Sequence, residues 1–234
     1  MLEVKNISAF YGDAQALENV NLTLGKSGIV ALLGPNAAGK STTLRVISGI
    51  VPAASGTVHF EGEDITAASP QDRVGLGIVH VPEGRKLFGT LSVEDNLILG
   101  GYSRRKDRKT TARLDGIYDR FPRLRERRFQ DAGLLSGGEQ QMVAVGRGLM
   151  SEPKLLMIDE MSLGLAPMIV KQMFSLVQEI ATGNMCVLLV EQHVQNALAV
   201  ADHGFIIDGG VTRVSGPVHE LLSSTLVRES YLGQ

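Results

Sequence analysis

The strongest constraint on the fold is an abrupt change of character at Gly34. Upstream, Ile29-Val-Ala-Leu-Leu33 is a continuous apolar run, and a strand without polar alternation is buried on both faces, as in a parallel sheet covered on each side. Downstream, Gly34-Pro-Asn-Ala-Ala-Gly39-Lys40-Ser41 leads into a helix expected over about 40–48. Strand, glycine-containing loop and helix in that order commit the chain to an α/β fold with parallel strands. The loop also satisfies G-x-x-x-x-G-K-[ST], in which backbone N–H groups and the helix N-terminus cradle phosphates. On this reading Gly34, Pro35, Asn36, Ala37, Ala38 and Gly39 wrap a nucleoside triphosphate such as ATP. Lys40 neutralises charge that shifts in the transition state, Ser41 ligates Mg²⁺, and Thr42 adds a phosphate contact.

The rest of the chain can be organised around that unit. Strands are expected at Leu2 to Ala9, at the alternating Val20 to Leu24, at 57–60 and at 77–81. From about Ser92 to Met150 the composition turns to helix formers and arginine, and Ser92-Val-Glu-Asp95 reads as a capping box opening the first helix. The basic stretches at 104–109 and 123–128 read first as solvated faces. After Met150 the βα alternation returns: strand 154–158, helix 168–181, strand 185–190, helix 194–201, then strands 204–208 and 211–215. The expectation is one domain over 1–234, with a core from 1–91 and 151–234 and a helical subdomain over about 92–150. Cys186, the single cysteine, lies in an apolar run and reads as a small core residue.

Two further segments carry chemistry. Lys154-Leu-Leu-Met-Ile-Asp159-Glu160 is an apolar strand ending in two carboxylates, which delivers acids to the sheet edge where the phosphate loop begins. Asp159 is expected to hold Mg²⁺ and Glu160 to polarise the attacking water. Leu135-Ser136-Gly-Gly-Glu139-Gln-Gln141 contains an S-x-x-E capping box at a helix start, and its two glycines leave N–H groups open to an anion.

The phosphate loop, the LSGGEQQ segment and the Asp-Glu strand, in that order and over essentially the whole chain, resemble an ABC transporter ATPase subunit. The resemblance implies a P-loop NTPase fold with a mixed, largely parallel core sheet, an N-terminal antiparallel β portion and a helical subdomain. It implies that Ser136, Gly137 and Gly138 serve the γ-phosphate of a second ATPase subunit in a head-to-tail dimer, identical or related, and that Tyr11 stacks on adenine. Transmembrane permease subunits and, indirectly, a solute-binding protein are the further partners implied. Val81-Pro-Glu-Gly-Arg85, Leu91-Ser-Val-Glu-Asp-Asn-Leu97 and the tail segments Glu220-Leu-Leu and 227–233 are similar to the second ATPase of branched-chain amino acid importers. Urea or amide uptake and lipid export are the alternatives within transporters, and a non-transport ABC ATPase is the alternative outside them.

The same resemblance raises four local questions. Glu83 occupies the position of a glutamine that usually touches Mg²⁺; it reads equally as a metal-binding carboxylate and as a solvated loop acid. Gln192, not His193, falls at the position of the family's switch histidine and is taken as catalytic. Ala37 replaces a usual glycine, which puts the loop conformation in question, and Met161 replaces a usual proline, although Ser162-Leu-Gly-Leu165 after it still resembles the loop through which two such subunits signal each other. A net charge of −2 argues against a general nucleic-acid binder. With no secretory pattern at Met1 and no run of about 20 apolar residues, the expected location is the cytoplasm, peripheral to the membrane through permease subunits.

Overall fold

The computed structural model describes residues 1–181, 183–224 and 227–228. In chain order the elements are β1 (Leu2–Tyr11), β2 (Ala14–Leu24), β3 (Gly28–Leu33), α1 (Lys40–Ile47), β4 (Ser55–Phe60), β5 (Glu63–Asp64), α2 (Pro70–Leu76), β6 (Ile78–Val81) and α3 (Val93–Gly100). They continue with α4 (Thr110–Arg120), α5 (Pro122–Glu126), α6 (Gly137–Leu149), β7 (Leu155–Asp159), α7 (Pro167–Ile180), β8 (Cys186–Glu191), α8 (Val194–Leu198), β9 (His203–Asp208), β10 (Val211–Pro217) and α9 (Val218–Ser223). Short 3₁₀ segments occur at Tyr102–Asp107 and Ala132–Leu134.

The strands form two sheets. The larger has the order β10-β9-β3-β8-β7-β6, in which all neighbours run parallel except the β9/β10 hairpin. The smaller is antiparallel, β2-β1-β4-β5. This is the P-loop NTPase arrangement that the sequence implied.

The two-residue period of the strands divides the interior into two cores. From β3, Ile29, Ala31 and Leu33 join one cluster, while Val30 and Leu32 join the other. β8 does the same, with Val187 and Leu189 on the first side and Cys186, Leu188 and Val190 on the second. The first core is closed by α3 to α8, the second by α1 and the antiparallel sheet. A strand buried on both sides has no place for a polar residue, which is why these segments lack alternation. Cys186 is wholly buried in the second core, and burial pushes its thiol up to about 11, as expected for a packing residue.

The helices between Ser92 and Met150 differ in how they begin. At α6 the capping box is complete: Ser136 accepts from the Glu139 N–H, and Glu139 accepts from the Ser136 N–H at 3.0 Å. At α3 only half of it forms. Ser92 accepts from the Asp95 N–H at 3.0 Å, but Asp95 returns to the Ser92 hydroxyl at 2.6 Å and not to its N–H. Aspartate is one methylene shorter than glutamate, so the capping box expected at Ser92 becomes a simple serine cap. α8 also stops at Leu198, short of the expected Ala201.

Among the elements not anticipated are β5, α9 and α2. α2 opens with Ser69 as N-cap, Pro70 in the first turn and Asp72 donating its N–H to the Ser69 hydroxyl. It carries Arg73, which is 3% exposed and donates to five carbonyls: Val46, Ile47, Ile65, Thr66 and Ala68. Two of these belong to the last turn of α1, where Val46 also accepts from the Gly49 N–H at 3.0 Å and the guanidinium supplements the end of the helix. Burial depresses the Arg73 pKa, but guanidinium retains its charge in proteins and serves as a cationic C-cap. The tail segment 227–233 lies mainly outside the described residues. We expect Arg73→Met to lower the unfolding free energy by about 3–5 kcal/mol, because several buried carbonyls lose their donor at once. Urea denaturation of the purified chain measures this.

Candidate nucleotide site

Four neighbouring parallel strands end at one edge of the sheet, and each delivers part of the site. β3 runs into Gly34, β8 into Gln192, β7 into Asp159 and Glu160, and β6 into the loop that carries Glu83. A cleft of about 610 Å³ at this edge is lined by Ala16, Asn36 to Thr42, Glu83, Glu160, Leu163 and Gln192. The edge of a parallel sheet beyond its strand C-termini is where such folds collect ligands.

The loop is tied down by contacts within the chain. At Gly34, φ is +152° and a Cβ would lie 2.0 Å from the Ile207 carbonyl oxygen, so no side chain fits. Ala38 is buried, and its carbonyl accepts from the Gly210 N–H at 2.9 Å, which ties the loop to the β9/β10 turn. That turn is joined in its turn to β2, since the Glu18 N–H donates to the Gly210 carbonyl at 2.8 Å. Ala37 adopts φ +62°, the left-handed conformation in which a Cβ is disfavoured by roughly 1–2 kcal/mol. The loop thus keeps a glycine-like backbone at Ala37 with a methyl group attached.

Lys40, 4% exposed, folds back over the loop and donates to the Gly34 and Pro35 carbonyls, both at 2.9 Å. Its Nζ is 3.9 Å from Glu160 Oε1. Burial holds the ammonium below its ordinary range, opposed by the charges of Glu160 and Asp159. Ser41 Oγ donates to Asp159 Oδ1 at 3.2 Å. Burial lifts Asp159 to about 6, with Glu160 and Glu83 adding to the rise and the Ser41 hydroxyl opposing it. Glu160 stands at φ +48°, and its Oε2 accepts from Gln192 Nε2 at 2.6 Å. His193 is exposed at the start of α8 and faces an adjoining cleft, so Gln192 and not His193 reaches Glu160. Glu83 is exposed in the cleft lining.

Gly34, Pro35 and Asp159 lie just behind this lining, and two further sets of sequence-derived candidates lie outside it. Tyr11 is half-exposed beside it. Its hydroxyl is 3.5 Å from Thr42 Oγ1 and accepts from Arg45 at 3.0 Å, which ties the side chain to the start of α1. Ser136, Gly137 and Gly138 begin α6 and do not line the cleft of their own chain. Gly138 is packed so closely that a Cβ would meet Ile169 at 2.7 Å. The Ser136 hydroxyl and the Arg127 guanidinium, 3.0 Å from Glu139, hold that carboxylate below its usual range.

The sequence reading gave Glu191 no role, and it did not foresee that Ser162 would pair with it. Glu191 ends β8 and accepts two hydrogen bonds from Ser162, on the loop after β7. The available signal was an acid closing the otherwise apolar Cys186-Val-Leu-Leu-Val190 strand.

The profile of the ABC transporter family matches residues 17–162. The chain belongs to that family. It is the ATP-binding, ATP-hydrolysing subunit of an ABC transporter. The ABC subunit is 43% identical over 233 residues, the full length of both chains, to the high-affinity branched-chain amino acid transport ATP-binding protein BraG of Pseudomonas aeruginosa. It is 35% identical to the probable branched-chain amino acid transport ATP-binding protein LivF of Archaeoglobus fulgidus, covering 95% of this chain and 94% of that one. Its fold superposes with a TM-score of 0.87 and 28% identity on the ADP conformation of an ATP-binding cassette of an ABC transporter, covering 100% and 99% of the two chains. Among the described residues no helix of the ABC subunit is long and apolar enough to cross a membrane.

Asp159 gives a pH-dependent test of this geometry. A carboxyl raised from 3.8 to about 6 binds protons more tightly folded than unfolded. The cost of ionising it is therefore absent below pH 3.8, grows as pH rises and is complete above about 6. Nucleotide-free Asp159→Asn should be more stable than the native chain at pH 7 by roughly 2–3 kcal/mol. Thermal unfolding followed from pH 4 to pH 7 should show that advantage vanish at the acid end.

Proposed function

We propose that this ATPase subunit powers the uptake of branched-chain amino acids or similar small amphipathic solutes, working as one of two ATPase subunits attached to transmembrane permease subunits that a solute-binding protein supplies. The full-length likeness to BraG supports the choice of solute. The observation that carries the hydrolytic reading is the meeting of Glu160 and Gln192 across a cleft shared with the phosphate loop.

In this reading the loop from Gly34 to Gly39 and the start of α1 hold the phosphates of ATP. Lys40 exchanges the carbonyls of Gly34 and Pro35 for phosphate oxygens, and Thr42 adds a contact. Glu160 orients the attacking water and takes its proton, and the Gln192 amide fixes the carboxylate for that task. Tyr11 covers the adenine. Ser41 and Asp159 are hard oxygen donors already 3.2 Å apart, a fit for Mg²⁺, which takes one or two protein ligands and completes its shell with phosphate and water. When bound, the ion neutralises phosphate charge. Glu83, which shares the cleft lining with Ser41, is the further candidate ligand.

Ser136, Gly137 and Gly138, remote from their own cleft, serve the γ-phosphate in the cleft of a second ATPase subunit. Two nucleotides are then enclosed in a head-to-tail pair that closes on ATP and reopens on hydrolysis. The whole chain acts as one ATP-binding domain in which the helices between about 92 and 150 form a subdomain carrying this signature segment. The protein works on the cytoplasmic face of the membrane and needs no nucleic acid.

Glu160→Gln should lower the hydrolysis rate by about 100-fold or more while ATP still binds. Sedimentation of that variant with ATP, alone and mixed with a candidate partner ATPase, tests the pairing. Association only in the mixture supports an asymmetric pair, association alone a homodimer, and no ATP-dependent association in either sample overturns the shared site.

A further inference from the structure

Glu191 is a buried acid that the roles assigned above leave unexplained. It is 1% exposed at the end of a strand whose other residues, Cys186 to Val190, are all apolar. Burying a carboxylate is costly, and a leucine or valine would satisfy the sheet as well. Burial raises its pKa, and the bonds from Ser162 act against that rise. Both of its oxygens are engaged by one residue: Oε1 accepts from the Ser162 N–H at 3.1 Å, and Oε2 accepts from the Ser162 hydroxyl at 2.7 Å.

The surroundings give these bonds a direction. Regular pairing of β7 with β8 ends at Asp159 opposite Val190. Glu160 then turns into the left-handed region, at φ +48°, where a residue with a Cβ stays only if its neighbours hold it. Three consecutive residues of β8 and its extension supply the hold. The Val190 carbonyl accepts from the Glu160 N–H at 2.9 Å, Glu191 takes both donors of Ser162, and the Gln192 amide donates to Glu160 Oε2 at 2.6 Å. The segment from Glu160 to Ser162 is thus gripped from one side, with Glu191 at its far end.

We infer that Glu191 is a positioning residue for hydrolysis: through Ser162 it fixes the turn at Glu160, and so sets the carboxylate against Gln192 and Lys40. The inference rests on the assignment of Glu160 above. It concerns the rate of the chemical step and leaves the phosphate loop alone, because neither Glu191 nor Ser162 lines the cleft in which that loop lies. Glutamine can replace the carboxylate, its oxygen accepting the Ser162 N–H and its amide donating to the hydroxyl oxygen, whereas alanine cannot.

The test is steady-state ATP hydrolysis by the full-length chain, with binding followed separately by a fluorescent ATP analogue. Glu191→Ala should lower kcat at least tenfold with KM and analogue affinity within twofold of native, Ser162→Ala should lower kcat at least threefold in the same way, and Glu191→Gln should keep at least a third of native kcat. A smaller loss in either alanine variant, a parallel loss of nucleotide affinity, or a Glu191→Gln variant as slow as Glu191→Ala overturns the inference. Should Glu191→Ala fail to fold, Ser162→Ala and Glu191→Gln decide by the same thresholds. Glu160→Gln run alongside separates the two claims: hydrolysis at the native rate in that variant removes the reading of the site, and this inference with it. Loss in Glu160→Gln with native rates in the Glu191 and Ser162 variants removes the positioning role alone.

Discussion

Burial of β3 on both faces is the constraint from which the rest follows. A strand covered on each side needs parallel neighbours and two separate apolar layers, and here those layers are built by alternate residues of the same strands. Parallel strands all end at one edge. The residues that follow β3, β8, β7 and β6 therefore meet, although they are widely separated in the chain. The cleft needs no further organising principle than this, because its polar groups sit just past the point where the apolar strands stop.

How much of this was legible in the sequence depends on the range of the interaction. The phosphate loop could be read because spacing, backbone freedom and flanking elements are all local. Asp159 and Glu160 could be read because two acids closing an apolar strand have few other uses beside such a loop. The choice of Gln192 over His193 came only through family resemblance, since nothing local distinguishes them, and the bond from Gln192 to Glu160 was not foreseen. The pairing of Glu191 with Ser162 escaped notice for a similar reason: they are 29 residues apart, and only the adjacency of β7 and β8 makes them partners.

Other departures are matters of side-chain length and of signals not weighed. Ser92-Val-Glu-Asp95 and Ser136-Gly-Gly-Glu139 look alike as patterns, yet one methylene decides whether the acid reaches the cap's own N–H. α2 carried a readable start in Ser69-Pro-Gln-Asp72, but its purpose was not readable, because Arg73 makes its bonds to carbonyls near the ends of other elements. Ala37 shows the reverse case. Its departure from the usual glycine was plain in the sequence, and the backbone nonetheless keeps the left-handed turn that glycine would favour.

The anchoring of α1 at both ends has a mechanical consequence. Its first residue, Lys40, is folded onto the phosphate loop, and its last turn is held by the guanidinium of Arg73. The eight residues between span about 12 Å and include neither glycine nor proline, so the helix has no joint at which to bend. It behaves as a short strut: a displacement applied to α2 reaches the phosphate loop as a translation of the whole rod, with little of it absorbed along the way.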